Sequence, residues 1–309
     1  MATSRVLIGG GTGFIGSRLG ELLIRSSYTV TNVSRMPGIN NISWTDLECT
    51  GLLPMTNAVV NCAGQQVMDL TKKWTPGFKQ NVASSRIYTT KALAKAVNTA
   101  KHKPKVFVLI TGVGAYEASP YCRYDESSAI TGKDFFSTLC KDWEAAADIK
   151  PPVRLVIIRS GVVIGRWGGM IKNMFLPFWL GLGGRLGDGK QFLPWIHIDD
   201  LCRMIQFAIE SKIEGIVNGV APQVITNEEF TQAFARALRR PALLPIPELL
   251  LKFLYNPERA RMLLTGQYVI SKRAEGIGFK FRYKTIDEAC KEVARLYPLK
   301  LPLTPTSSL

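Results

Sequence analysis

The chain has 309 residues and a formal net charge of +15, with 46% apolar and 20% charged residues. This length and composition are typical of a globular protein with one large core or two moderate ones, and no apolar run is long enough to cross a bilayer. The charge alone would suit nucleic acid, an anionic membrane surface or a phosphate-rich ligand, but the basic residues are spread along the chain, so we expect neither nucleic acid nor a membrane as a partner.

The first predicted element is a short apolar strand at residues 6–8, which leads into glycines. Apolar residues then recur at helical spacing over residues 14–25, which predicts an amphipathic helix. A glycine-rich turn between a strand and a helix lets backbone N–H groups approach a phosphate, and the helix N-terminus adds a partial positive charge. The turn therefore predicts a dinucleotide pyrophosphate site, formed by Gly10, Gly13, Phe14, Ile15 and Gly16.

Strand-like and helix-like segments alternate through the first half of the chain. We predict strands at residues 29–33, 58–61, 106–110 and 155–158, and helices near residues 82–99 and 134–148. A helix at about residues 200–210 and a strand at 215–220 follow. Such alternation predicts an α/β fold, in which a doubly wound Rossmann sheet of parallel strands carries a smaller, mainly helical C-terminal region.

The same pattern suggests domain boundaries. We place the dinucleotide-binding domain at residues 1–167, with residues 196–222 returning to its sheet. Residues 168–195 are rich in glycine and aromatic residues, which predicts a partly irregular cap over the carboxyl ends of the strands. Residues 223–300, mainly helical beyond residue 226, complete this substrate region. The Pro-, Ser- and Thr-rich residues 301–309 are expected to form a flexible tail.

The second predicted strand ends in a Ser34-Arg35 pair. An NAD enzyme carries an acidic residue there, about twenty residues beyond the glycines, to bind the adenosine ribose. The closest acidic residues are Glu21 and Asp46, which are too far along the chain. A hydroxyl and a planar guanidinium instead suit a 2′-phosphate, so the sequence favours NADP over NAD, with a solvated arginine as the alternative.

Small side chains follow the strand predicted at residues 58–61, namely Cys62, Ala63 and Gly64. They would let a ribose or an adenine lie across the strand end, although a plain turn would have the same composition. The helix after them contains Arg86 within an apolar stripe. Such an arginine either lies at the edge of the stripe with its head in water or reaches a phosphate of the cofactor.

Several segments together resemble a known family. The glycines at 10, 13 and 16 match G-x-x-G-x-x-G, and residues 61–64, 110–116, 159–165 and 194–201 are similar to four further elements of the short-chain dehydrogenase/reductases of extended and atypical type. Residues 142–144, 218–222 and 264–267 resemble the epimerase-like family 39U. The resemblance implies NADP as cofactor, with contacts at Ser34, Arg35, Cys62, Ala63, Asn81, Arg86 and Val163.

Reductases of this superfamily use Tyr-x-x-x-Lys, in which the tyrosine exchanges a proton with the substrate and the lysine lowers its pKa. The helix predicted near 134–148 offers Lys141, but Ser137 stands where the tyrosine belongs. A literal match at Tyr268 and Lys272 lies far along the chain and is interpreted as accidental. The usual serine is also displaced, because the nearest hydroxyl is that of Thr111.

Three interpretations stay open for the catalytic group. Tyr116 or Tyr124 supplies the proton from another direction, Lys141 and Thr111 act through a water molecule, or the chemistry is lost. The candidate catalytic residues are thus Thr111, Tyr116 and Lys141. His197 could titrate near neutrality, but a structural hydrogen bond under the cap is the favoured interpretation.

The six cysteines form no C-x-x-C pair, only two histidines occur, and no G-x-S-x-G segment is present. These features argue against zinc ribbons, thioredoxin-type sites, histidine-rich metal sites and serine hydrolases, and we predict no metal. Scattered thiols, with no secretory leader before residue 6, predict an intracellular protein of the cytoplasm or mitochondrial matrix.

Two functional hypotheses follow from the sequence. The first is an NADP-dependent oxidoreductase or a nucleotide-sugar-epimerase-like enzyme that acts on a small molecule. The second is a catalytically impaired NADP-binding sensor or scaffold. The sequence predicts neither the substrate nor the oligomeric state.

Overall fold

The computed structural model describes residues 4–35, 38–69 and 72–295. The strands are β1 (Arg5–Gly9), β2 (Thr29–Ser34), β3 (Asn41–Ser43), β4 (Thr56–Asn61), β5 (Val106–Gly112), β6 (Ser119–Tyr124), β7 (Arg154–Ser160), β8 (Val162–Ile164), β9 (Trp195–His197), β10 (Gly215–Gly219) and β11 (Gln267–Val269). The helices are α1 (Phe14–Arg25), α2 (Trp44–Thr50), α3 (Pro76–Thr99), α4 (Phe135–Ala145), α5 (Gly169–Trp179), α6 (Ile198–Glu210), α7 (Asn227–Leu238), α8 (Glu248–Leu264), α9 (Lys272–Gly276) and α10 (Ile286–Val293).

Seven strands form one parallel sheet in the order β10-β7-β5-β4-β1-β2-β3. The order reverses between β1 and β4, which is the switch point where α/β folds of this type bind their ligands. The α/β, doubly wound fold class predicted from the sequence is confirmed. The carboxyl ends of β1, β2 and β4 meet at this point.

Helices cover both faces of the sheet because its strands are apolar on both sides. Leu19 and Leu23 of α1 and Leu201 and Met204 of α6 are fully buried against one face. Side chains from α2, α3 and α4 pack against the other face, with Leu93 of α3 fully buried there. The two buried layers fix the positions of the strand ends that carry the site.

A separate apolar core joins the elements after β8. It unites Phe178 of α5, Phe230 and Phe234 of α7 and Cys290 of α10, all at most 2% exposed. The residues predicted as a partly irregular cap, 168–195, contain α5, then an irregular run, then the start of β9. The strand β10 pairs with β7 and therefore belongs to the main sheet. The predicted tail, residues 301–309, lies outside the described residues.

Three features of the fold differ from the sequence-based prediction. The helix predicted at 82–99 begins six residues earlier, at Pro76, with Thr75 as its N-cap. The short elements β3 and α2 were not predicted, nor was the parallel pairing of β6 with β11. Finally, α8 is broken by Asn256, which has a positive φ of 68° and is followed by Pro257. None of these features alters the edge of the sheet where β1 and β4 end.

Candidate cofactor and active site

The glycine-rich turn is held in a conformation that only glycine fits at two of its positions. Gly10 has a φ of +73°, and a Cβ there would lie 2.7 Å from the Cα of Ala63. A Cβ on Gly16 would lie 2.4 Å from the carbonyl oxygen of Gly10. Gly13 is the N-cap of α1 and provides no side-chain cap, so the first N–H groups of the helix remain available to an anion.

The side chain of Phe14 anchors the turn to the entrance of the cap. A Cβ on Gly168 would lie 2.3 Å from the Phe14 ring, and one on Gly165 would lie 2.8 Å from it. Ile15 packs against the sheet core on the α1 face. These two side chains therefore position the turn, and any contact they make with a phosphate would come from their backbone.

The end of β2 lies beside this turn. Ser34 is buried, whereas Arg35 is exposed. Asn32 lies against Gly11, because a Cβ on that glycine would lie 1.9 Å from the Asn32 Oδ1. This Oδ1 is buried and has no hydrogen-bond partner among the described residues. A buried acceptor without a donor is costly, so this position favours a ligand that donates a hydrogen bond.

The end of β4 forms a tight turn that Asn61 stabilises. The Asn61 Nδ2 donates to the Thr90 Oγ1 at 2.9 Å, and the Asn61 Oδ1 accepts from the Ala63 N–H at 3.0 Å. Cys62 and Ala63 thus lie directly over Gly10. Burial raises the pKa of the Cys62 thiol to about 12, so the thiol is neutral. This surface is small, apolar and uncharged.

Arg86 extends from α3 toward the same turn. Its guanidinium packs against Gly64, where a Cβ would lie 3.0 Å from the Arg86 Cζ, and it lies 5.1 Å from the Trp143 ring. Its Nη1 donates to the Val82 carbonyl at 3.0 Å, and no carboxylate pairs with it among the described residues. Burial lowers the pKa of Arg86 to about 10, so it still carries its charge at neutral pH. A half-buried cation without a counter-ion favours an anionic ligand.

The other predicted cofactor contacts lie around these residues. Asn81 is exposed on α3, and Val163 lies half-buried in β8, where its carbonyl approaches Gly169. A cleft of about 670 Å³ opens beside the glycine turn. Its lining includes Thr12, Gly13 and Phe14 from the turn, Trp167 just before the cap, and Lys172 and Asn173 from the cap.

The predicted catalytic hydroxyls belong to one buried network. The Thr111 Oγ1 donates to the Glu144 Oε1 at 3.1 Å. Arg159 binds the same carboxylate through two hydrogen bonds, from Nε and Nη2, each of 2.8 Å. Arg159 is 3% exposed, and sequence reasoning did not identify this ion pair. A bidentate pair of this kind is rigid, so Thr111 is fixed at the end of β5.

Tyr116 lies at the other end of this network. Its hydroxyl accepts from the Arg159 Nη1 at 3.1 Å and lies 2.8 Å from the Asn218 Oδ1, to which it donates. The residue is 1% exposed, and burial raises its pKa. Tyr124 stacks on its ring at 5.2 Å, and burial raises the pKa of Tyr124 to about 12. The Tyr116 hydroxyl therefore belongs to the same buried hydrogen-bond network as Thr111.

The structure separates Ser137 and Lys141, although both lie on α4. The Ser137 hydroxyl accepts from the Gly132 N–H at 2.7 Å and donates to the Ala115 carbonyl at 3.1 Å, and the residue is fully buried. Lys141 is exposed. Of the three predicted catalytic residues, the structure brings Thr111 and Tyr116 into one network and leaves Lys141 outside it.

The remaining sequence signals lie outside this network. Tyr268 lies in β11 and Lys272 in α9, so the two residues do not share a helix face. The His197 Nδ1 accepts from the Asp199 N–H, and its Nε2 donates to Glu292 at 3.1 Å. These hydrogen bonds are those that the structural interpretation expects, and His197 also lines the cleft beside the glycine turn. Within the described ranges, no cluster of histidine, cysteine or acidic residues is arranged for a metal ion, and no helix is long and apolar enough to cross a membrane.

Comparison with known proteins agrees with this geometry. Residues 6–220 match the NAD dependent epimerase/dehydratase family. The chain belongs to that family. Residues 246–293 match a domain of unknown function, DUF1731. The epimerase match covers the seven-stranded sheet and the glycine turn, whereas the DUF1731 match covers α8, β11, α9 and α10.

The chain is similar to several named relatives. It is 46% identical to the epimerase family protein SDR39U1 of Bos taurus, over 94% of this chain and 99% of the bovine one. It is 34% identical to a chloroplastic SDR39U1 homologue of Arabidopsis thaliana, over 93% and 86% of the two chains. The crystal structure of human SDR39U1 with NADPH has a TM-score of 0.92 and 46% identity, and the match covers 94% of this chain and 99% of the human one. The predicted resemblance to family 39U is confirmed.

Proposed function

We propose that this protein binds NADP(H) at the glycine turn and acts as an oxidoreductase or nucleotide-sugar-epimerase-like enzyme on a small molecule held in the cleft. The human relative crystallised with NADPH supports the cofactor, since its fold matches this chain almost throughout. The unsatisfied Asn32 Oδ1 and the unpaired Arg86 charge also fit a ligand with hydroxyl and phosphate groups. These two side chains carry the proposal from the structure itself.

Each residue at the site has a role in this proposal. The amides of Gly13, Phe14 and Ile15 and the Arg86 guanidinium bind the pyrophosphate, Asn32 accepts from a ribose hydroxyl, and Ser34 and Arg35 bind the 2′-phosphate. The backbone around Cys62, Ala63 and Gly64, with Asn81 and Val163, completes the cofactor surface. When bound, NADP(H) donates or accepts a hydride. Because Tyr116 and Thr111 are committed to the buried network, Lys141 is the exposed member of the predicted catalytic set.

A specific observation favours the alternative of a catalytically impaired NADP-binding sensor. The Thr111 and Tyr116 hydroxyls, two of the groups that could replace the missing tyrosine, already donate to partners within the protein, to Glu144 and Asn218. NADPH oxidation measured across a panel of carbonyl compounds separates the two functions. Turnover that Lys141→Met abolishes would support the enzyme, whereas NADPH binding without turnover of any compound would support the sensor.

The cofactor preference has its own test. Arg35→Ala should weaken NADP(H) by about tenfold or more while leaving NAD(H) nearly unchanged, because hydrogen bonds to a charged group are worth about 1.5–3 kcal/mol. Titration calorimetry with both cofactors measures this ratio. Arg25→Ala, at the far end of α1, is the matched control and should leave both affinities unchanged. Equal weakening of NADP(H) and NAD(H) by Arg35→Ala would contradict a contact with the 2′-phosphate.

We also propose that the protein is intracellular, in the cytoplasm or the mitochondrial matrix. The Arabidopsis thaliana relative is named as chloroplastic, which suits an organelle in that plant. Imaging of the full chain with a C-terminal fluorescent tag would distinguish the cytoplasm from the mitochondrial matrix.

A further inference from the structure

The cap carries exposed apolar side chains that the proposed function does not use. At the end of α5, Leu176, Trp179 and Leu180 are 59%, 45% and 56% exposed, and Leu182 is 58% exposed. Single exposed apolar residues are normal in globular proteins, but a contiguous apolar patch marks a contact surface.

The first part of α8 adds a second group. Leu249, Leu250, Phe253 and Leu254 are 81%, 45%, 86% and 61% exposed. Their spacing places them on one face of the helix, while Leu251 is 2% exposed and packs inward. The first part of the helix therefore packs inward through Leu251 and presents four large apolar side chains outward.

The two groups are joined by the chain between α7 and α8. The Ile246 N–H donates to the Arg185 carbonyl at 2.8 Å, and the Gly187 N–H donates to the Ile246 carbonyl at 2.9 Å. On this connection, Leu243 and Leu244 are 81% and 59% exposed. We call the surface formed by the exposed apolar side chains of residues 176–182, 243–244 and 249–254 the apolar edge.

Basic side chains flank the apolar edge. Residues 166–190 and 236–261 contain ten arginines and lysines against three acidic residues. Of these ten, Arg259 is buried, and Arg185, Arg236 and Lys252 pair with Glu228, Asp287 and Glu248. The other six include Arg239 and Arg240, which are exposed. Arg240 illustrates the arrangement, since its Nε donates to the Trp179 carbonyl at 2.8 Å and its Cζ lies 5.7 Å from the Trp179 ring. Tryptophan and arginine placed side by side suit the boundary between lipid chains and headgroups.

We propose that the apolar edge inserts into the headgroup region of an anionic membrane surface, with the basic residues around it facing lipid phosphates. Apolar side chains and Lys or Arg on neighbouring positions are the features by which peripheral proteins bind such surfaces. A second copy of the chain would bring the same basic surface against itself, and like charges would oppose that contact. The negative bilayer is complementary in both charge and polarity.

This proposal departs from the sequence-based expectation that no membrane is a partner. That expectation rested on the lack of a spanning segment and on charges that look scattered along the chain, whereas the fold gathers the two segments at one edge. The contact is peripheral and requires no spanning helix. Because Lys172 and Asn173 of α5 line the cleft and Trp179 ends the same helix, docking would hold the cleft beside the bilayer.

Vesicle co-sedimentation with the full chain tests the proposal. Vesicles of phosphatidylcholine alone are compared with vesicles containing about one quarter phosphatidylserine, at about 0.1 M and about 0.5 M NaCl. We expect binding to the anionic vesicles that weakens with salt, and a loss of at least about tenfold in Leu249→Glu/Phe253→Glu, because each change removes a large apolar side chain from the contact.

The control is Ile24→Glu/Tyr121→Glu, which adds the same charge at two exposed apolar residues outside the apolar edge. It should bind vesicles like the unchanged protein, and circular dichroism checks that both double variants are folded. The proposal is overturned by absence of binding at low salt, or by equal binding of both double variants. Sedimentation equilibrium tests whether the apolar edge instead binds a second copy of the chain. A dimer that is dissociated by Leu249→Glu/Phe253→Glu, in a protein that does not bind vesicles, would also overturn the proposal.

Discussion

The ends of β1, β2 and β4 differ from the ends of β5 and β7 in how their polar groups are used. At the first region, Asn32 keeps a buried acceptor without a partner and Arg86 keeps a half-buried charge without a counter-ion. At the second region, Thr111, Glu144 and Arg159 satisfy one another. One half of the site is thus prepared for a ligand, whereas the other half is completed by the protein itself.

This difference separates binding from chemistry. Polar groups held unpaired in the folded protein lower its stability and are satisfied when the ligand arrives. Polar groups paired within the fold raise its rigidity but are not available to a substrate. Changes in the paired half should therefore affect stability, and changes in the unpaired half should affect cofactor affinity.

The largest effect is expected from Glu144→Ala. The change leaves the Arg159 charge buried and unpaired, which should lower the free energy of unfolding by about 3–5 kcal/mol. Asp142→Ala, two residues earlier on α4 and exposed, is the matched control and should change it by less than about 0.5 kcal/mol. Urea denaturation followed by circular dichroism measures both. A loss similar to that of the control would mean that the Glu144–Arg159 pair does not stabilise the contact between α4 and the end of β7.

Gly16→Ala is expected to have the second-largest effect, because it adds a side chain at the tightest point of the glycine turn. Its Cβ would lie 2.4 Å from the Gly10 carbonyl oxygen, so the backbone must shift, at a cost of about 1–3 kcal/mol. NADPH affinity should fall with it. Gly20→Ala lies on the same helix, with its nearest neighbour 3.9 Å from the added Cβ, and should not lower either quantity. Thermal unfolding with and without NADPH gives both readings, and parallel behaviour of the two variants would contradict the geometry of the turn.

Much of the unpaired half, at the ends of β1, β2 and β4, could be predicted from the sequence. The helix predicted at residues 14–25 is α1 with the same bounds, because the glycines mark its start and a regular apolar spacing marks its extent. The strand ends at Ser34 and Asn61 follow from similarly strong local patterns. In each case the signal lies within a dozen residues of chain.

The paired half could not be predicted in the same way. Glu144 and Arg159 lie on different elements, and nothing local indicates that their side chains meet or that Tyr116 joins them. The pairing of β6 with β11 joins segments far apart in the chain, with only three residues in the second strand. The apolar edge could not be predicted because its local pattern is misleading. Leucines at helical spacing predict a buried face, and the sequence does not show which apolar face is left without a packing partner.

Arg86→Met sharpens the comparison because its two effects have opposite signs. Removing a half-buried charge that has no counter-ion should leave the cofactor-free protein as stable as before or more stable. The same change should weaken NADPH by about 10- to 100-fold, since a hydrogen bond to a charged group is worth about 1.5–3 kcal/mol. Thermal unfolding and calorimetry measure the two effects. Lys91→Met, exposed on the same helix, should leave the affinity unchanged; an unaltered affinity in Arg86→Met would remove Arg86 from the cofactor site.

The smallest effects on stability and NADPH affinity are expected from Tyr116→Phe and Lys141→Met. Tyr116→Phe should change only the stability, and Lys141→Met only the affinity or turnover. Tyr116→Phe removes the hydroxyl that contacts Arg159 and Asn218, so it should cost about 1–2 kcal/mol of stability and leave NADPH affinity unchanged. Lys141 is exposed, so Lys141→Met should leave stability unchanged and lower only NADPH affinity or turnover. The reverse result, with Tyr116→Phe stable but inactive, would show that the buried hydroxyl reaches the substrate after all. It would then make Tyr116, rather than Lys141, the group that replaces the missing tyrosine of α4.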